Sequence, residues 1–90
     1  MSKTGDFAIQ GDTLVKYQGP GGDVVIPQGV VRIGREAFLD CADLTGVVLP
    51  EGVMEIGLLA FAGCLSLARV ALPESLTEIG PNAFFRCGAL

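Results

Sequence analysis

The apolar positions of this chain recur with a fixed 23-residue period. From residue 24 onwards the sequence divides into three units, 24–46, 47–69 and 70–90, with eight columns that are identical in all three. These columns include a proline, a glycine, a phenylalanine, a cysteine and a leucine, as at Pro27, Pro50 and Pro73. A repeat of this length predicts a solenoid, in which each unit buries its apolar side against its neighbours.

Each unit opens with apolar residues at alternating positions. Val24 and Ile26 are two apart in the first unit, and the same spacing recurs at 47 and 49 and at 70 and 72. Alternation of this kind predicts a short strand with one face turned inward. Pro27 follows and ends the strand, because proline has no N–H to extend a ladder. The pattern therefore predicts neighbouring parallel strands at 24–26, 47–49 and 70–72.

The second half of each unit has a different spacing. In the first unit, the apolar residues after Gly34 are separated by one, three and three positions: Ala37, Phe38, Cys41 and Leu44. This spacing predicts one or two turns of α or 3₁₀ helix with the alanine, phenylalanine and cysteine buried. The glycine at this column of every unit indicates a backbone conformation that other residues disfavour. The phenylalanines predict a stacked spine in the core.

The segment 1–23 lies outside this period. Phe7–Gln10 and Thr13–Tyr17 are two short β-prone runs separated by Gly11 and Asp12, a pattern typical of a hairpin with a tight turn. A solenoid needs an atypical first unit to cover its end, so we expect the hairpin to be an N-terminal cap. The predicted organisation is a tail, capping hairpin and connector over 1–23, followed by repeats over 24–90.

One motif in the repeats resembles a known family. The motif reads Leu44-x-x-Val47-x-Leu49-Pro50-x-x-Val53-x-x-Ile56-Gly57-x-x-Ala60-Phe61-x-x-Cys64. It is similar to the BspA-type, or Treponema-type, leucine-rich repeat. The resemblance implies an α/β fold: a right-handed solenoid of three units, with short helical turns and with parallel strands on a concave side. It also implies bacterial surface or secreted proteins that bind host proteins or other cells, without catalytic residues or cofactors.

Charge and hydropathy exclude several classes of partner. The formal charge is -4, and six Lys and Arg residues cannot form a basic face, so nucleic acid is not an expected partner. No run approaches the roughly 20 apolar residues of a membrane helix, so we expect no membrane insertion. The start, MSKTGDF, does not resemble a secretory signal. A cytoplasmic location is therefore possible, although the resemblance implies the cell surface.

Catalytic chemistry has little support in this sequence. The chain has no histidine to serve as a base for a nucleophile, and we predict that it is not an enzyme. The three cysteines at the repeat spacing favour a buried column of inert thiols over a disulfide or a metal site. Stacked glutamates at equal columns, Glu51 with Glu74 and Glu55 with Glu78, favour a solvated rim over acid–base or calcium chemistry.

The outward strand positions are the candidate binding surface. On the concave face the sequence places Asp23, Gly46 and Arg69 in one column, and Val25, Val48 and Ala71 in the next. The second column is an apolar stripe on a surface that solenoids use for binding protein partners. The alternative is that β-branched residues simply favour strands. Leu58, Leu59 and Phe85 are secondary candidates.

The end of the third unit is a candidate for self-association. No further unit follows to cover its apolar layer, and an uncovered strand edge is open to pairing. We expect a homo-oligomer through this end, most simply a two-fold or partly swapped dimer, with Phe85 and Leu90 in or near the contact. The alternative function is a structural segment of a longer solenoid that presents other domains.

Overall fold

The computed structural model describes residues 4–90 and contains two β-sheets. The strands are β1 (Phe7–Gln10), β2 (Thr13–Tyr17), β3 (Gly22–Val25), β4 (Arg32–Ile33), β5 (Leu44–Val48), β6 (Glu55–Ile56), β7 (Arg69–Ala71) and β8 (Glu78–Ile79). The larger sheet has the order β1-β2-β4-β6-β8, and the smaller has the order β3-β5-β7. Residues 24–46, 47–69 and 70–90 are the first, middle and third coils below.

The smaller sheet confirms the predicted parallel register. Val24, Val47 and Val70 are direct neighbours across β3, β5 and β7, as the repeat step requires. The strands begin earlier than predicted, at Gly22 and Leu44 in the first two cases. Hydrogen bonding continues past the assigned ends, since the N–H of Ile26 donates to the carbonyl of Val48 at 3.0 Å. The proline that follows then ends the ladder, as expected.

The second sheet was not predicted. Each coil adds a very short strand to it, and the parallel pairs place Ile33 beside Ile56 and Ile56 beside Ile79. Ile33 and Ile56 are fully buried, so this strand is the second inward-facing layer of each coil. Strands this short cannot show a period, which is why the pattern of the sequence did not reveal them.

The predicted hairpin is confirmed. β1 and β2 pair antiparallel, and the turn between them has Gly11 at a φ of 62°. β2 also pairs in parallel with β4, which places Leu14 beside Ile33. The hairpin therefore extends the larger sheet over the first coil, and Leu14 is completely buried there.

The prediction of short helical turns is wrong. In the described residues the helical structure is one short 3₁₀ segment, Thr4–Asp6. The N–H groups of Glu36, Phe38 and Asp40 donate instead to carbonyls of the middle coil, at 3.0, 2.7 and 2.7 Å. The equivalent residues 59, 61 and 63 donate to the third coil at 3.2, 2.7 and 2.8 Å. A helix would use these N–H groups internally, so bonding between coils replaces it with successive turns.

These bonds form a one-way ladder, because every donor lies on the coil that comes first in the chain. The turns that aim the N–H groups include residues with positive φ, such as Glu36 at 59° and Leu59 at 57°. The repeated glycine is not among the residues with positive φ, so our interpretation of that column was wrong. A Cβ on Gly57 would lie 2.9 Å from the amide nitrogen of Arg35, so this glycine is required by close approach of two coils.

The core contains a continuous aromatic column. Phe38 and Phe61 stack with ring centroids 4.7 Å apart, and Phe61 and Phe84 with centroids 5.3 Å apart. The predicted phenylalanine spine is therefore present. Tyr17 of the hairpin extends it, with its ring 5.0 Å from that of Phe38. Phe38 and Phe61 are fully buried, whereas Phe84 is only half-buried.

Candidate functional site: the outward face of the smaller sheet

The smaller sheet exposes the apolar column that the sequence predicts. Val25 pairs with Val48, and Val48 with Ala71, so the three residues form one row across the strands. We call this row the aliphatic stripe. Val25 is 66% exposed and Val48 is 45% exposed, although each lies beside a buried core valine in its own strand. The strand alternation therefore presents apolar side chains to solvent on this face.

The neighbouring column is polar and is joined by an ion pair. Asp23, Gly46 and Arg69 lie in register across β3, β5 and β7, and we call them the polar column. The guanidinium of Arg69 bonds the carboxylate of Asp23 across the central strand. The hydroxyl of Thr45 donates to the same carboxylate oxygen at 2.7 Å. Residues from three successive strands thus meet above one glycine.

Gly46 makes this arrangement possible. A Cβ at that position would lie 2.9 Å from Oδ1 of Asp23 and 3.1 Å from Nη2 of Arg69. Both distances are shorter than ordinary van der Waals contact, so any side chain here would displace the ion pair. The absence of a side chain on the central strand allows the guanidinium to lie across the sheet.

The two columns together line a shallow open depression. Its volume is about 260 Å³, and the buried residues Val24 and Val47 contribute to its lining. Sites that enclose small molecules usually measure about 300–1,000 Å³. The depression is slightly smaller than that range and is open to solvent, so it does not enclose a small molecule.

The outer face of the larger sheet has a different character. Arg32 lies between Asp12, at 3.2 Å, and Glu55, at 3.4 Å, and Glu78 follows Glu55 in register. The depression here is about 100 Å³ and is lined largely by these charged residues and their neighbours. A row of charged side chains on an exposed face describes a solvated surface, as predicted for the glutamates.

The end of the third coil is the second apolar surface. Four large apolar side chains are about half exposed there: Leu72 at 47%, Ile79 at 50%, Phe85 at 53% and Leu90 at 56%. The backbone N–H groups of residues 82, 84 and 86 occupy the donor positions of the one-way ladder, and no acceptor for them lies within residues 4–90. The secondary candidates Leu58 and Leu59 are half-buried in the middle coil.

Comparison with known proteins establishes the family. A model described as the BspA-type leucine-rich repeat region (6 copies) matches residues 17–90. The chain belongs to the BspA-type leucine-rich repeat family. The crystal structure of a leucine-rich repeat protein from Treponema pallidum, TpLRR, is similar, with 37% identity and a TM-score of 0.90. The match covers 99% of this chain and 47% of that chain.

The family match has a general functional meaning. BspA-type leucine-rich repeats serve generally as protein-binding modules and are typically not catalytic. A search of curated proteins gave no match, so no individual relative identifies a ligand. This chain spans less than half the length of the T. pallidum protein.

The cysteines of these BspA-type repeats are free thiols, of which Cys64 is buried in the core, while Cys41 and Cys87 are partly buried against it. The thiol of Cys64 donates to the carbonyl of Phe38 at 3.2 Å, and that of Cys87 to the carbonyl of Phe61 at 3.1 Å. The adjacent Cys41 thiol and burial raise the pKa of Cys64, and burial raises the pKa of Cys87. A hydrogen bond with Cys64 lowers the pKa of Cys41, which is half-buried. The cysteine column thus joins successive coils through weak hydrogen bonds.

Other chemistry has no assembled site in the described repeats. Glu51 accepts a hydrogen bond from the backbone N–H of Glu74 at 3.0 Å, which joins two coils at their rim. Across residues 4–90, no group of three or more His, Cys, Asp or Glu residues is placed to hold a metal ion. The same residues include no helix with the length and apolar character needed to span a bilayer.

Proposed function

We propose that the chain is a non-catalytic protein-binding module whose contact surface is the outward face of β3, β5 and β7. The observation that supports this function most strongly is the exposure of the aliphatic stripe next to the polar column. Strand propensity accounts for valines in a strand, but not for an open apolar depression next to a held guanidinium. Contact surfaces combine these two features, an apolar centre and a few placed polar groups.

We further propose the finer architecture on which this surface depends. In this proposal, the three coils form a right-handed solenoid, the smaller sheet is its concave side, and the hairpin is its N-terminal cap. The general preference for right-handed crossovers between parallel strands supports the handedness. The burial of Leu14 and Tyr17 over the first coil supports the capping role. Family resemblance supports an adhesive role at the bacterial surface, where partners would be host proteins or other cells.

A selection experiment tests the binding function. The folded 90-residue chain, immobilised, is used to select from a random peptide display library. We expect selected peptides to bind the wild-type chain and to lose binding when Val48→Glu places a charge in the aliphatic stripe. The matched control is Leu65→Glu, because Leu65 is 59% exposed and lies outside both columns. Peptides that bind all three proteins equally would exclude this face as the contact surface.

Self-association through the third coil is a second candidate, and the exposed apolar side chains at that end favour it. We propose that Phe85 and Leu90 form the contact. The backbone row at residues 82–86 presents N–H donors in both copies of a two-fold dimer and cannot pair with itself, so side chains would have to form the contact at that row. A structural segment of a longer solenoid is the alternative, since further repeats would cover the same surface.

Light scattering during size exclusion distinguishes these possibilities. We expect concentration-dependent dimers of the wild-type chain and monomers after Phe85→Glu with Leu90→Glu, while Leu65→Glu leaves the dimer intact. A wild-type chain that stays monomeric at high concentration would contradict self-association. A dimer that the double substitution leaves unchanged would place the contact elsewhere.

A further inference from the structure

The contribution of the Arg69–Asp23 ion pair to folding stability is too small to explain its geometry. Side chains of Arg69 and Asp23 are 65% and 70% exposed, and exposed ion pairs typically contribute only about 0–1 kcal/mol. The pair nevertheless depends on a side-chain-free position at Gly46 and on a hydroxyl at Thr45. A geometry supported by two further residues is better explained as the positioning of a binding group.

The guanidinium is the group with spare bonding capacity. Of the five N–H donors of an arginine, one bonds Asp23, and the others are directed to solvent or to a partner. The Asp23 oxygen that accepts from Arg69 also accepts from Thr45, so the carboxylate is held in place. Holding an arginine in one conformation before binding reduces the entropy that a partner must overcome. Guanidinium groups bind carboxylates through paired hydrogen bonds, which adds geometric specificity.

We propose that this surface recognises an extended acidic–apolar segment, in which a carboxylate side chain bonds Arg69 and an apolar side chain covers the aliphatic stripe. This inference rests on the proposed binding function and specifies its partner. Both columns lie on the same face, two residues apart along each strand, which corresponds to about 6.6 Å. Side chains at positions i and i+2 of an extended peptide have the same separation. The expected motif is therefore Asp or Glu, any residue, and then Val, Ile, Leu or Phe, in either chain direction.

The peptides selected on the wild-type chain test this inference. We expect enrichment of an acidic residue two positions from an aliphatic or aromatic residue. Affinity of a fluorescently labelled selected peptide should fall about ten-fold or more with Arg69→Gln, because a hydrogen bond between charged groups is lost. Arg69→Lys retains the charge without the planar fork and should weaken binding less than Arg69→Gln does. Replacing the acidic residue of the peptide by its amide should have the same effect as Arg69→Gln, and the two changes should not add.

Gly46→Ala supplies a geometric test. The new methyl group should displace the guanidinium from the central strand, so binding of the acidic peptide should fall, with Leu65→Glu again as the neutral control. Denaturant unfolding of each variant verifies that the fold is retained.

Three results would overturn the inference. The first is selected peptides that need Val48 but no acidic residue and ignore Arg69→Gln, which would leave the binding function intact. The second is enrichment of basic peptides, which would assign the contact to Asp23. The third is the absence of any peptide that depends on Val48, which would also remove the proposed function.

Discussion

The middle and third coils share one sequence pattern, yet only the middle coil is buried on both of its sides. Ile56 is fully buried and Leu49 is 4% exposed, whereas their equivalents Ile79 and Leu72 are 50% and 47% exposed. The middle coil has a neighbour on each side, and the third coil has a neighbour on one side only. Burial in this fold therefore depends on the place of a residue in the stack as much as on its column in the repeat.

Within the third coil, apolar residues that contact the middle coil are buried or partly buried, whereas residues on the opposite side are exposed. Ala83 in the third coil is 3% exposed, as deeply buried as most residues of the core. It lies at the inner side of the turn segment, where its carbonyl accepts from Phe61 at 2.7 Å. The third coil is thus half core and half surface, and substitutions can reveal which half a residue belongs to.

The largest expected contrast is between two phenylalanines. Phe61→Ala should reduce the free energy of unfolding by about 3–5 kcal/mol, the usual cost for a buried aromatic residue. Phe84→Ala should cost roughly half as much, because the ring stacks on one neighbour and is half-buried. Denaturant unfolding measures both free-energy changes, provided that the two variants and the wild-type chain have equal m-values. Equal costs would show that another layer covers the third coil in solution.

A smaller effect should be equal in the two coils. A Cβ on Gly80 would lie 2.8 Å from the backbone carbon of Gly57, a clash with the preceding coil like that at Gly57 itself. Gly57→Ala and Gly80→Ala should therefore each cost about 1–3 kcal/mol, the usual range for overpacking. Gly88→Ala is the control, since no atom lies within 4 Å of its Cβ position. A harmless Gly80→Ala combined with a costly Gly57→Ala would contradict close packing between the last two coils.

The smallest contrast concerns reaction rates of the thiols. Thiolate is the reactive form, so a raised pKa slows alkylation at a given pH and a lowered pKa permits it at lower pH. We expect Cys41 to be modified first, Cys87 next and the buried Cys64 last. Peptide mass spectrometry after iodoacetamide treatment of the folded chain, from mildly acidic to alkaline pH, measures the order. Uniformly slow modification would support the sequence-based prediction of three inert thiols, and rapid modification of Cys64 would contradict the core position.

Much of the fold follows from the repeat step. It predicted the parallel register of Val24, Val47 and Val70, the phenylalanine spine and the composition of both outward columns. Tyr17 was missed because it lies out of register with Phe38, so it does not fit the period although its ring joins the same stack. Its burial comes from the hairpin, whose docking on the first coil is a tertiary effect.

The local spacing of apolar residues gave a wrong prediction where backbone hydrogen bonds between coils take the place of helical ones. The apolar spacing after each repeated glycine fits a helix, but alternate N–H groups there bond the next coil, as in the first and middle coils. The ion pair of the polar column was also missed. Opposite charges at Asp23 and Arg69, separated by two repeat steps with a glycine midway, were a readable signal. Its geometry could be recognised only in the structure, where Gly46 on the central strand β5 lets side chains of β3 and β7 meet.

The one-way ladder gives the stack a chemical polarity. One end displays amide donors, at residues 82, 84 and 86, while the other end would display carbonyl acceptors. The hairpin already bonds one carbonyl of that acceptor end, because the N–H of Tyr17 donates to the carbonyl of Ala37 at 2.9 Å. A second copy that added head to tail along the ladder would therefore compete with the hairpin for this carbonyl. If the hairpin has the capping role that we propose, we expect a chain without it to have two complementary ends and to polymerise.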